Sequence, residues 1–165
     1  MRPTTTEPEP LTALLDRESA HYRIIDHLPE GRTEAASRLR GHPLGAAAKC
    51  LVLRLRTGKT RRYVLVVVPG DRRVDIAAVR DLYGSRNAAV APADVAERLT
   101  GCVSGAIPPF TFHPELDLVV DHGLTGHDEI YFNAGVLDRS LALRTEDYLR
   151  VSRPRVEAVA ATTGD

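Results

Sequence analysis

The run Lys49-Cys50-Leu51-Val52-Leu53-Arg54-Leu55-Arg56, the polar turn Thr57-Gly58-Lys59-Thr60 and the run Arg61-Arg62-Tyr63-Val64-Leu65-Val66-Val67-Val68 together decide the fold. In the first run leucine recurs at every second position from Leu51 to Leu55, and the second ends in five consecutive apolar residues. Two such runs joined by a glycine-containing turn predict a β-hairpin. Val66 to Val68 has no polar face, so this strand is expected at the centre of a sheet, covered on both sides. Pro69-Gly70-Asp71 ends it.

Working outward, Tyr22-Arg23-Ile24-Ile25-Asp26 alternates like an edge strand, and Leu11, Leu14 and Leu15 mark a short helix before it. Thr33 is expected to cap a helix through Leu39 that stops at Gly41. Downstream, Asp75 caps a helix from Ile76 to Leu82, closed by Gly84. Asn87–Ala91 reads as a strand, Pro92 opens a helix ending near Leu99, and a Gly- and Pro-dense loop fills 101–109. Strands follow at Leu116–Val120, Glu129–Phe132 and Ser140–Leu143, then a helix capped by Thr145 and reaching Val151. No repeat or linker interrupts the pattern. It predicts an α/β (α+β) fold: a single compact domain with a twisted mixed, largely antiparallel sheet flanked by short helices. Residues 11–152 form that domain, between a flexible N-terminal segment (1–10) and a flexible C-terminal tail (153–165).

The 165 residues carry 22 basic and 22 acidic side chains, a formal net charge of zero. There is no global pull toward nucleic acid or acidic membrane, so any RNA contact must be local and its salt dependence shallow. A steep dependence would single out Arg54, Arg56, Arg61 and Arg62, which otherwise read as a solvated hairpin face. Cys50 and Cys102 are too few and too far apart for a disulfide framework or a thiolate metal site. No apolar run approaches the roughly 18 residues of a membrane span, and the N-terminus lacks the apolar core of a secretory signal. A reduced, cytoplasmic protein is expected.

Of the 22 basic residues only Lys49 and Lys59 are lysines. Lys59 lies in a polar turn, but Lys49 sits between Ala46-Ala47-Ala48 and an apolar strand, where an ammonium either snorkels to water or serves a site. The loop from Thr100 to Phe110 combines glycines, which let a ligand approach the backbone, with two prolines that stiffen it. Such a loop is either a plain connection or a set of amides aimed at a carbonyl oxygen. Asn133, on an apolar strand, either bonds to backbone or offers its amide to a ligand. His113, Asp117, Asp121, His122, His127 and Asp128 lack metal-site spacing, so no metal is expected. There is no G-x-S-x-G elbow, P-loop or G-x-G-x-x-G either.

Taken in order, several short pieces resemble the YbaK/ProX-type trans-editing domains, related to the editing insertion of bacterial prolyl-tRNA synthetase. They are Asp26-His27, Thr33-Glu34-Ala35-Ala36, Ala48-Lys49-Cys50-Leu51-Val52, Val67-Val68-Pro69-Gly70-Asp71 with Val74-Asp75, and Leu99-Thr100-Gly101. Gly105-Ala106-Ile107-Pro108-Pro109-Phe110 and Phe132-Asn133-Ala134-Gly135 complete the set, and the resemblance as a whole runs from about Tyr22 to Val151. The resemblance implies hydrolysis of the ester of a mischarged tRNA, of tRNA-Pro type with a small amino acid, with no cofactor. The implied partners are the tRNA 3′ acceptor end and an aminoacyl-tRNA synthetase.

By the same resemblance, Lys49 and Gly105 carry the chemistry. His27, Thr33, Gly101, Ser104, Ala106, Ile107, Pro108, Pro109, Asn133, Ala134, Gly135 and Ser140 would bind substrate. An activated ester needs positioning and oxyanion stabilisation more than a strong nucleophile, which suits a chain without a triad. Cys50 stands where relatives often have Thr or Asn, Ser140 where some have an acid, and Asn133-Ala134 where alanine-editing relatives have a histidine motif. Two other readings stay open: an inactive module gripping tRNA or a synthetase, and a hydrolase of another small ester.

Overall fold

A computed structural model describes residues 9–161. The chain runs α1 (Glu9–Arg17), β1 (Tyr22–Asp26), α2 (Thr33–Arg40), β2 (Ala48–Thr57), β3 (Thr60–Pro69), α3 (Ile76–Leu82) and β4 (Asn87–Val90). It continues with α4 (Ala93–Thr100), β5 (Leu116–Asp121), β6 (Glu129–Val136), β7 (Arg139–Arg144), α5 (Thr145–Ser152) and β8 (Arg155–Glu157). Single 3-10 turns occupy Leu44–Ala46 and His122–Gly126.

The hairpin is as expected: β2 and β3 pair antiparallel from Ala48↔Pro69 to Thr57↔Thr60, around Gly58 at φ 62°. β3 is central in a five-stranded sheet of order β4-β2-β3-β5-β8, with β3–β5 and β5–β8 parallel. Where one sheet was expected there are two, because β1, β7 and β6 form a separate antiparallel sheet. Val64 to Val68 are fully buried, and alternation splits them between two cores. Leu65 and Val67 face the smaller sheet with Val52, Phe132, Leu141 and Tyr148, whereas Val64, Val66 and Val68 pack with Leu53, Leu55 and Val79 of α3. Each buried Val or Leu contributes about 1.5–3 kcal/mol, so the doubly covered strand anchors both layers.

Two expected caps differ. Arg32 and Arg144, not Thr33 and Thr145, precede their helices, and neither makes a side-chain cap. Thr145 Oγ1 is buried without a partner among the described residues, while its amide donates to Asp128 O at 2.9 Å. Asp75 does cap α3, accepting from the Ala78 amide at 3.0 Å.

The expected C-terminal tail is also corrected as far as it is described. Arg155–Glu157 pairs with Val119–Asp121, Ala160 bridges Val74, and Val159 is buried. The Asp121 carboxylate fixes this segment by accepting from the Val159 and Ala160 amides at 2.8 and 2.9 Å. Of the expected N-terminal segment, residues 1–8 lie outside the described residues; helix α1 begins at Glu9.

Candidate active site

β4 covers the outer edge of β2 only from Leu53 to Arg56, and the Ala91 amide extends this to Val52 O. Toward its start β2 meets the other sheet through a single bridge, Ala47↔Tyr131. Between these points Ala48, Lys49, Cys50 and Leu51 line a cleft of about 480 Å³. Its other walls are Gly31, Thr33, Ala36 and Arg40 around α2, Arg73 and Val74 before α3, Gly105 and Ile107, and Phe132 and Asn133 of β6. The turn after β3 is clamped beneath: a Cβ on Gly70 would stand 2.6 Å from Leu44 O and 2.9 Å from Thr33 Cγ2.

The cleft is cationic. Lys49, Arg40 and Arg73 line it, and no Asp or Glu does among the described residues. Burial lowers the pKa of Lys49, Asp71 opposes that shift, and Arg73 adds to it. Lys49 makes no ion pair within 4.0 Å among the described residues, so its charge is available to a ligand.

The loop opposite Lys49 is held by backbone. The Ala106 amide donates to Val103 O at 3.0 Å and Ala106 O accepts from Gly135 at 2.9 Å, tying the loop to the bulge in β6. The buried Tyr148 hydroxyl donates to Pro109 O at 2.8 Å. The amides of Gly105 and Ile107 have no acceptor among the described residues. Gly105 has φ 87°, and a Cβ there would lie 2.7 Å from Gly31 Cα. Two chain segments therefore cross in contact, and a side chain at Gly105 is excluded by both conformation and space.

Asn133 stitches this crossing. Its Nδ2 donates to Gly105 O at 2.8 Å and to Glu30 O at 2.9 Å, so both amide hydrogens are engaged by backbone. Behind it lie Ser140, His27 and Arg40. His27 donates from Nδ1 to Leu28 O, and its Nε2 lies 2.7 Å from Ser140 Oγ. This looks like a nucleophile–base pair, but Ser140 is fully buried and does not line the cleft. Its one hydroxyl hydrogen also faces a second acceptor, Asn133 Oδ1 at 2.8 Å. Arg40 makes up the shortage of donors, reaching Ser140 Oγ at 3.2 Å and Asn133 Oδ1 at 3.4 Å.

Arg40 also donates from Nε to His42 Nε2 at 2.9 Å. His42 stacks on Tyr131 with ring centres 3.8 Å apart and bonds through Nδ1 to Pro43 O. Burial pushes the His42 pKa down to about 4, with repulsion from Arg40 assisting, so at neutral pH the ring can accept. Burial also brings Arg40 down to about 10, and no carboxylate lies within 4.0 Å of it among the described residues.

Of the anticipated residues, Lys49, Thr33, Gly105, Ile107 and Asn133 meet in the cleft. His27 and Ser140 stand behind its wall; Ala106, Pro108, Pro109 and Ala134 are buried, and Gly135 forms the bulge. Gly101 ends α4 at φ 74°, and Ser104 is exposed beside the crossing. Burial pushes the Cys50 thiol well above its ordinary value, so this lining side chain is no thiolate. The anticipated imidazole and carboxylate set is dispersed: Asp117 pairs with Arg62 at 3.5 Å and His113 accepts from the Glu115 amide. Sequence reasoning missed Arg40, Arg73 and Gly31; Pro29-Glu30-Gly31 signalled a turn, but nothing local marked it as the partner of Gly105.

Comparison with known proteins finds relatives of this chain by sequence and by fold. A multifunctional Ser/Thr-tRNA deacylase, ProXp-y, of Escherichia coli (strain K12) is 45% identical over 148 residues, 88% of each chain. A solved structure of a hypothetical protein, APE2540, superposes with a TM-score of 0.83 at 23% identity, covering 94% of this chain and 100% of that one. A structure of a proposed trans-editing enzyme for prolyl tRNA synthetase gives 0.80 at 20% identity, covering 97% and 100%. At those identities the two structures speak for the fold. The aminoacyl-tRNA editing domain family matches residues 28–151, and the chain belongs to that family.

Proposed function

We propose that this aminoacyl-tRNA deacylase removes serine and threonine from mischarged tRNA, with Lys49 holding the 3′ end and the Gly105 loop holding the ester. The observation that carries the reading is a cleft whose charged lining residues are all cations and whose wall includes Gly105 and Ile107, the amides of which have no acceptor among the described residues. A terminal nucleotide brings a phosphate to the cations and an ester carbonyl to the amides. Lys49 pairs with the phosphate, which offsets the cost of its burial. The amides of Gly105 and Ile107 stabilise the oxygen that becomes negative in the tetrahedral intermediate. Water, oriented by the free hydroxyl of the terminal ribose, attacks the carbonyl carbon; the ester C–O bond then breaks, the proton lost by the water passes to the departing ribose oxygen, and the amino acid is released with the ribose hydroxyl restored.

The preference for serine and threonine follows the curated relative, which acts on Ser/Thr-tRNA. It replaces the tRNA-Pro assignment, for which that relative gives no support. Serine and threonine differ by one methyl group, and pockets discriminate by a single methylene to only about 1–3 kcal/mol. One cleft taking both is therefore expected.

The test is a panel of tRNAs charged with Ser, Thr, Ala, Cys or Pro, followed for ester loss with wild type and Lys49→Ala. Seryl- and threonyl-tRNA should be cleared fastest. The substitution should lower kcat/KM by roughly a hundredfold, about 2.7 kcal/mol. Ester loss no faster than in buffer for every tRNA would end the hydrolase reading. Equal rates for Lys49→Ala and wild type would remove Lys49 from the site.

A further inference from the structure

We propose that the turn end of the β2–β3 hairpin is a second RNA-contact surface, gripping the paired stem of a tRNA whose 3′ end lies in the cleft. It rests on the deacylase reading. Arg56 stands directly opposite Arg61 in the antiparallel register, and Arg54 stands opposite Tyr63 on the same face. Lys59 occupies the turn, and the Arg86 amide donates to Arg56 O at 3.0 Å, bringing a further arginine to this end. Arg56, Lys59, Arg61 and Arg86 are exposed.

Nothing in the fold neutralises them. Among the described residues none of Arg54, Arg56, Lys59, Arg61 and Arg86 has a carboxylate within 4.0 Å. Arg62, which alternation sends to the other face, is the one hairpin arginine with an acid among the described residues, Asp117 at 3.5 Å. Like charges directly opposite across two strands destabilise the pair, so Arg56↔Arg61 acts against the hairpin that contains it. A chain of zero net charge thus concentrates cations without carboxylate partners among the described residues at one end of its central hairpin.

Position identifies the partner. Arg56 lies seven positions beyond Lys49 in β2, about 23 Å along the strand at ~3.3 Å per residue, and the odd spacing turns its side chain to the opposite face, so a partner meeting both must pass around the hairpin. An aminoacyl group and its terminal nucleotide cannot reach so far, whereas the stem behind them presents phosphates over that distance. The planar, permanently charged guanidinium forks suit phosphate oxygens.

The experiment compares wild type with Arg56→Gln/Arg61→Gln in two assays. Binding of uncharged tRNA is measured across salt, and deacylation is measured on seryl-tRNA and on the seryl ester of a CCA trinucleotide. Losing two phosphate contacts should reduce the slope of log K against log salt by roughly 1.5–2 and weaken binding about tenfold. KM for seryl-tRNA should rise by a similar factor at unchanged kcat. The trinucleotide ester should be hydrolysed as before, and the thermal midpoint should hold or rise as the like-charge pair is removed. An unchanged salt slope overturns the proposal, as does an equal loss on tRNA and trinucleotide. A wild type whose tRNA binding depends on these arginines but which cleaves no ester upholds the surface and removes the deacylase reading.

Discussion

At the scale of single residues, the walls of the cleft are held by side chains bonded to backbone. Asn133 uses both amide hydrogens on backbone carbonyls of two loops. Asn133→Leu leaves those carbonyls and Ser140 short of partners, an expected loss of about 2–4 kcal/mol, read as a lower denaturant midpoint together with reduced kcat. Gly105→Ala should lower kcat/KM at least tenfold while binding of uncharged tRNA changes little, because a methyl group at φ 87° displaces the crossing and not the cations. A variant as active as wild type would show that the loop does not hold the carbonyl. Lys49 was legible in the sequence because an ammonium on an apolar strand needs a reason. Asn133 was legible as an oddity, but its partners at Glu30 and Gly105 lie 103 and 28 residues away. Arg40 was not legible: at the end of a helix it looks like any cation favoured by the helix dipole.

Among the elements, the hairpin and central strand could be read directly, since five apolar residues in a row leave few other solutions. The division into two sheets could not, because alternation within a strand does not say which other strand covers each face. Strand β8 was hidden for a related reason. Arg155-Val156-Glu157 carries little apolar signal, and its place is set by Asp121, 38 residues earlier in the chain than Val159. Asp121→Ala should therefore free the segment and leave the Val159 and Ala160 amides without an acceptor. The expected loss is roughly 2–3 kcal/mol, a fall in thermal midpoint of about 4–10 °C for a chain of this length. Faster amide exchange over residues 155–160 should accompany it; protection equal to wild type would show that β8 is held by other contacts.

Across the whole molecule, stability should fall in two acid steps. The His42 pKa is about 4 in the folded state and near 6.5 when free, so between these values the unfolded chain binds the extra proton. Stability is therefore lost as pH falls from about 6.5 to 4. Asp147 is pushed up by burial but pulled down further by the His21 amide and ring and by Arg150, to about 2. Its contribution is present above its free value near 3.8 and is lost as pH falls from there to about 2. Thermal midpoints from pH 7 to 2 should show both steps, and His42→Gln should flatten the first alone.

The contact between Gly31 and Gly105 also bears on how such a site changes over generations. With no room for a side chain at Gly105, where a Cβ would stand 2.7 Å from Gly31 Cα, the crossing is a fixed pivot: a gain of atoms at that position disables every substrate alike. Novelty in what the cleft accepts must then come from the walls at Cys50, Leu51, Ile107 and Phe132. Mutational tolerance should be steeply graded over a few ångströms, from forbidden at the pivot to permissive beside it.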